Sequence, residues 1–202
     1  MHKLLAAVLW GSFVLLALPQ GRIDPNAVPV DKEPRHSLVF SNAFIRVIDA
    51  RLPPGYQSLS HTHAQDNVAI TISPGRDDAA SLARIGRAGF SKGGYSHVVT
   101  NSGSIELRFI DVEFWGADKP SSAAFPDQPQ HKLEVENERV RIYRIKLAAG
   151  ESLPEHAHPA GWIGVTVAGG AGPGAYQWYA AGTANTITAT QAPLEIVELE
   201  PR

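Results

Sequence analysis

The strongest constraint on this chain is a phrase that occurs twice. Gly55-Tyr56-Gln57-Ser58-Leu59-Ser60-His61-Thr62-His63 and Gly150-Glu151-Ser152-Leu153-Pro154-Glu155-His156-Ala157-His158 both read Gly-x5-His-x-His, and each follows an Asn-x-x-[Ile/Val]-Arg segment at the same distance. The pairs His36/His131, Asn42/Asn137, Arg46/Arg141, Leu52/Leu147, Gly55/Gly150 and His61/His156 are all separated by 95 residues without a gap. One register held over that span describes a duplicated folding unit. The segment Leu194 to Leu199 then replays Leu107 to Val112, after the second copy has lost several residues. On a strand, residues i and i+2 share a face, so each His-x-His aims two imidazoles the same way, as two adjacent ligands of one ion require.

Short segments rich in strand-forming residues fill the first copy: Ser37 to Phe40, Phe44 to Leu52, Asn67 to Ser73, Ala79 to Ile85, Tyr95 to Thr100 and Ile105 to Phe114. Pro53-Pro54-Gly55, Pro74-Gly75 and Gly93-Gly94 punctuate them, which predicts an all-β sandwich or barrel. Residues 36–115 form the first module and 131–202 the second, with a Pro-, Ser- and Ala-rich linker over 116–130 and an extended arm over 21–35. Residues 1–20 begin with Met1-His2-Lys3 and the apolar run Leu4 to Leu18, the pattern of a secretory signal. The expectation is an exported protein, periplasmic or secreted; an uncleaved N-terminal membrane anchor is the other reading of the same segment.

A composition of 44% hydrophobic and 19% charged residues is enough to build a core. The formal charge of −2, with scattered Arg and Lys, gives no field for phosphates and argues against nucleic acid as a partner. The chain has no cysteine, so an exported fold has no disulfides to rest on and thiolate ligands are excluded.

In the first module a third histidine follows, within Gly86-x5-Lys92-Gly93-Gly94-Tyr95-Ser96-His97-Val98-Val99-Thr100-Asn101. With Gly55, His61 and His63 in the first motif and Gly86, Gly94, His97 and Asn101 in the second, the module resembles the cupin superfamily. It departs from that pattern at Lys92, usually Pro, and at Asn67, usually a metal-binding Glu. The resemblance implies two double-stranded β-helix (jelly-roll) barrels in tandem after the signal segment. It also implies a three-histidine centre of His61, His63 and His97 for a divalent transition metal, with open positions for water and substrate. Fe, Zn, Mn, Ni and Cu all accept such ligands. Asn67, by strand parity, faces the same interior, as a weak fourth ligand or as a group holding a bound water or substrate.

The second copy keeps His156 and His158 but carries Trp162 at the glutamate position, and Asn185 and Ala189 where the later His and Asn would stand. It reads as a weak or vestigial site, with no third nitrogen or carboxylate expected near the pair. His36 and His131 lie outside both motifs and carry no expected metal role. Arg46 and Arg141 read as structural ion-pair partners, with Glu113 or Glu198 as their acids. Tyr56 and Tyr95, beside the motifs, are the candidate proton carriers. Two functions fit these residues: a metal-dependent enzyme acting on a small organic substrate, of dioxygenase, isomerase or lyase type, and a non-catalytic small-ligand-binding or structural barrel. Homo-oligomerisation stays open in either case.

Overall fold

In the computed structural model, the described residues are 23–117, 119, 121, 124 and 128–202. The signal segment and part of the linker lie outside them. Strands run β1 (Val28–Pro29), β2 (His36–Ser41), β3 (Ile45–Leu52), β4 (His61–His63), β5 (Asn67–Pro74), β6 (Ala88–Ser91), β7 (Tyr95–His97) and β8 (Leu107–Phe114). The second copy follows as β9 (His131–Glu136), β10 (Val140–Leu147), β11 (Ser152–His156), β12 (Trp162–Ala168), β13 (Tyr176–Tyr179), β14 (Asn185–Thr188) and β15 (Leu194–Pro201). Each copy is a jelly-roll barrel made of a five-stranded sheet and a small sheet: β2-β3-β8-β5-β6 with β1-β4-β7, then β13-β12-β15-β10-β9 with β11-β14.

The duplication extends to strand register. Arg46 pairs with Glu113 and Ile48 with Asp111 across β3 and β8; Arg141 pairs with Glu200 and Tyr143 with Glu198 across β10 and β15. His61 faces His97 across β4 and β7, and His156 faces Asn185 across β11 and β14. Gly55 and Gly150 share φ +77 in the loops that begin each motif, a left-handed conformation that glycine adopts without Cβ strain.

Alternation divides each large sheet into two faces of different chemistry. Ile45, Val47, Val68, Ile70, Ile110, Val112 and Phe114 of the first sheet bury against Val140, Ile142, Ile163, Val165, Val197 and Leu199 of the second, in one continuous core. The barrels are therefore joined back to back. Their opposite faces turn inward and carry the polar set: Arg46, Asn67, Asp111 and Glu113 in one, Arg141, Trp162, Glu198 and Glu200 in the other. Period-2 patterning thus lets the same strands make a shared apolar seam on one side and a histidine-lined interior on the other.

Two elements differ from the sequence expectation. Ala79 to Ile85 is not a strand: Ala79–Leu82 forms one helical turn, because the Asp78 side chain caps it by accepting from Ser81 N. The strand that pairs with β5 is instead β6, whose Gly89 interrupts the alternation that would have marked it. Part of the arm joins the fold, since Val28 and Pro29 pair in parallel with His61 and Thr62, and Val30–Lys32 follows as a 3-10 turn rather than extended chain. Asp24 secures it by accepting from Ser60 Oγ at 2.7 Å, while its own N–H donates to Ser96 Oγ at 2.9 Å. Among the described residues no helix is long and apolar enough to cross a membrane.

Candidate metal centres

β4 and β7 pair edge to edge, and this brings the three histidines of the first barrel together. One ring nitrogen from each of His61, His63 and His97 lies within 4.8 Å of the others. Nitrogens bound to one ion at about 2.1 Å are about 3.4 Å apart, so small ring movements close the set onto a metal. His61 Nδ1 donates to the Leu59 carbonyl at 2.9 Å, which turns Nε2 inward as the lone-pair nitrogen. The Nε2 atoms of His61 and His97 are buried and have no hydrogen-bond partner among the described residues. Buried polar atoms without partners are uncommon, and an ion would satisfy both. The residues therefore fit a transition metal.

The electrostatics sort these histidines into two kinds. Burial holds the His97 imidazole down at about 3 and the His61 imidazole at about 4, both reinforced by neighbouring histidines, so both are neutral and ligand-ready at neutral pH. For His63 burial acts the same way but is outweighed: Asp111 Oδ2 lies 3.2 Å and Glu113 Oε1 3.7 Å from Nδ1, and the pKa rises. A carboxylate behind a ligating imidazole orients the ring and raises its basicity. The negative charge absent at Asn67 is thus supplied one layer back.

Asn67 itself spans that layer. Its Nδ2 lies 2.8 Å from His63 Nδ1 and donates to Tyr95 Oη and to Asp111 Oδ2, each at 3.2 Å. Tyr95 stacks on His63 at 5.0 Å between centroids and meets His97 edge-on at 5.2 Å. Burial, with Asp111 nearby, lifts its phenol to about 12, so it keeps its proton. Tyr56 points elsewhere, donating to Glu33 Oε1 at 2.8 Å. Glu33 also holds His36 Nδ1, and the His36 ring lies 4.5 Å from that of His61. Of the two candidate tyrosines, Tyr95 is the one whose ring packs on the histidine cluster.

Asn101, the last residue of the second motif, has a structural part. Its Nδ2 donates to the Leu52 and Ile105 carbonyls, and Oδ1 accepts from Gly103 N. Gly93 sits so close to the chain that an added Cβ would fall 2.4 Å from the Gln65 carbonyl carbon, which is why the turn before His97 needs glycine. The Gly93 N–H donates to Asp66, whose other oxygen meets Arg139 of the second barrel at 2.8 Å.

The second barrel departs from expectation. His156 and His158 do not stand alone: His131, His156, His158 and Glu198 offer ligand atoms that all lie within 4.8 Å of one another, and all four residues are buried. His131 Nε2 is 2.8 Å and His158 Nε2 is 3.2 Å from Glu198 Oε2. His158 Nδ1 is 3.0 Å from Glu200 Oε2, and Arg141 Nη1 donates to Glu200 Oε1 at 2.6 Å. Burial raises the Glu198 carboxyl but the imidazoles of His131 and His158 outweigh it, so the net shift is downward; the same contacts raise His158 against its own burial.

The absence of a role for His131 and of a nearby carboxylate are thus both corrected. Two long-range strand pairings produced the cluster, and the alignment of Leu194 to Leu199 with Leu107 to Val112 already set Glu198 opposite Asp111 in sequence. The arginines pair as the register dictates: Arg46 with Glu113, as expected, and Arg141 with Glu200 and Glu136 rather than Glu198. Trp162 fills the position vacated by the motif glutamate. It is 1% exposed, packs 4.9 Å from the His158 ring, and stacks on Tyr179 at 4.2 Å. With Tyr179 and Asn185 it lines a cavity of about 380 Å³.

Solved structures share the fold of this chain. The protein has the cupin fold. It is similar over 87% of its length to a salicylate 1,2-dioxygenase variant from Pseudoaminobacter salicylatoxidans in complex with gentisate, at 12% identity, 76% coverage of that chain and TM-score 0.57. A salicylate 1,2-dioxygenase from Pseudaminobacter salicylatoxidans matches over 78% of this chain and 71% of its own, at 11% identity and TM-score 0.54. A cupin 2 conserved barrel domain protein from Leptotrichia buccalis matches over 83% and 88%, at 9% identity and TM-score 0.52. Neither a protein-family model nor a curated protein matches the chain by sequence.

Proposed function

We propose that this protein is an exported bicupin enzyme that uses a single three-histidine metal centre in its N-terminal barrel to act on a small organic substrate bearing oxygen donors. The observation that carries this reading is the pair of buried Nε2 atoms on His61 and His97 that lack partners, set beside the carboxylate-backed His63. A divalent metal held there by His61, His63 and His97 would supply Lewis acidity and a template for oxygen ligands or dioxygen.

The chain's own residues do the rest. Leu59 and Asp111 orient two of the rings, and Asn67, beside His63, donates to Tyr95 and Asp111. Tyr95 holds its proton over the ring cluster, able to donate to a developing oxyanion but too weak an acid to serve as a base at neutral pH. The fold shared with salicylate 1,2-dioxygenase supports a ring-cleaving or related oxygen-dependent reaction ahead of isomerase and lyase chemistry. Export is supported by the basic start and apolar run of residues 1–18.

The test is metal analysis and oxygen consumption of the Fe(II)-loaded protein against catechols, hydroxybenzoates, diketones and thiols, with His97→Ala beside the wild type. Substrate-dependent oxygen uptake that vanishes together with one metal equivalent in the variant upholds the reading. A folded wild type that takes up no metal at the N-terminal site overturns it. Recovery of the protein from the export compartment with the apolar run removed, read by N-terminal sequencing, checks the address.

A further inference from the structure

We propose that the C-terminal barrel binds a second divalent ion, of the zinc class, at a closed four-ligand centre made by His131, His156, His158 and Glu198. This ligand set is not the repeat of the first. The position equivalent to His97 is Asn185, and the third nitrogen comes instead from β9 while a carboxylate comes from β15. The four donors already converge within 4.8 Å and their residues are fully or almost fully buried.

A second observation points to an ion rather than to a hydrogen-bonded cluster alone. Glu198 is 0% exposed and its Oε1 has no hydrogen-bond partner among the described residues, while Oε2 faces both His131 and His158. A buried carboxylate oxygen without a partner is costly, and a cation bound between the imidazoles and the carboxylate removes that cost. The outer layer is built as metal sites require. His156 Nδ1 donates to the Pro154 carbonyl at 3.0 Å, and Glu200, anchored by Arg141, backs His158 Nδ1. Three imidazoles and one carboxylate suit Zn(II) and Co(II) in a tetrahedral site.

The centre is sealed. Trp162 packs against the His156 and His158 rings on one side and lines the 380 Å³ cavity on the other, so the indole stands between the donors and that space. With four protein ligands and no open position, the ion braces β9, β11 and β15 against one another; it does not turn over substrate. The inference is independent of the N-terminal reading, because it shares no ligand with it.

Cobalt(II) titration of the chelator-stripped full-length protein tests this. Tetrahedral Co(II) absorbs much more strongly in the visible than an open five- or six-coordinate centre does. Wild type should take up two equivalents. His97→Ala should keep one, with the intense spectrum and a metal-dependent rise in thermal midpoint. Glu198→Gln should lose the intense spectrum and that rise, keeping one weakly absorbing equivalent; if it does not fold, His131→Asn is read the same way. Uptake of one equivalent that His97→Ala abolishes, or a Glu198→Gln protein with both equivalents and the full spectrum, overturns the proposal. One equivalent lost in Glu198→Gln and kept in His97→Ala upholds it and defeats the N-terminal reading instead.

Discussion

The two barrels begin with the same motif on the same strands and complete it with different residues. In the first, His97 on β7 is the third nitrogen and His36 is diverted, because Glu33 of the arm captures its Nδ1. In the second, His131 occupies the same strand position, and its Nε2 turns inward to Glu198. Side-chain length finishes the contrast. Asp111 reaches His63, whereas Glu198, one methylene longer at the equivalent position, reaches both His131 and His158. A duplicated scaffold can therefore hold two clusters built on different logic, one half-open and lacking its carboxylate, the other closed around one.

The comparison breaks most readily at the buried ion pairs. Arg141 and Glu200 are both 0% exposed, so Arg141→Met takes the guanidinium from buried Glu200 Oε1, with His158 still on Oε2, and should cost about 3–5 kcal/mol in denaturant unfolding. Arg46→Met should cost less, because the arginine removed is itself 18% exposed and therefore gives up less buried contact than Arg141, although the Glu113 it leaves is 0% exposed. Equal losses would mean that the two interiors are alike in polarity. Next come Ile110→Ala and Leu199→Ala, one from each sheet of the shared seam, each expected to cost about 2–5 kcal/mol. Both should lower a single cooperative transition; two separate transitions would mean that the barrels are independent.

The two tyrosines give a third contrast. Tyr95→Phe should retain metal and lower kcat about 10²-fold if its proton is used, while Tyr56→Phe changes it little. The smallest effect is in pH dependence. In metal-free protein, His61 and His97 have depressed values in the fold, so between about 3 to 4 and the unfolded value of 6.5 the unfolded chain binds more protons. Their contribution is present above pH 6.5 and is lost as pH falls through that window. His63 and His158, raised in the fold, act oppositely, contributing below 6.5 and losing that contribution as pH rises. His97→Asn should flatten the acid-side loss more than His156→Asn, and chemical-shift titration of the ring protons would show it directly.

Much of this was legible in local pattern. The ungapped repeat and the His-x-His parity set His61 and His63 on one face, because strand alternation needs no tertiary knowledge, and the resemblance of the second motif to the cupin pattern added His97. The vacancy at Asn185 and the substitution at Trp162 were equally visible. Ala79 to Ile85 misled because a single capped turn leaves no periodicity, and Gly89 hid β6.

What the sequence by itself determined, then, is a duplicated β module with a paired histidine motif in each copy, incomplete in the second; the jelly roll and the third histidine of the first were what its resemblance to the cupins implied. Only the tertiary structure decided that the incomplete motif is completed from elsewhere, that the arm becomes a strand beside His61, and that the outer faces of both sheets form one core. Those outcomes depend on pairings far apart in the chain, such as the 67 residues between His131 and Glu198. They depend also on which neighbour captures each imidazole, and ring rotation and side-chain reach settle that only after the strands are in place.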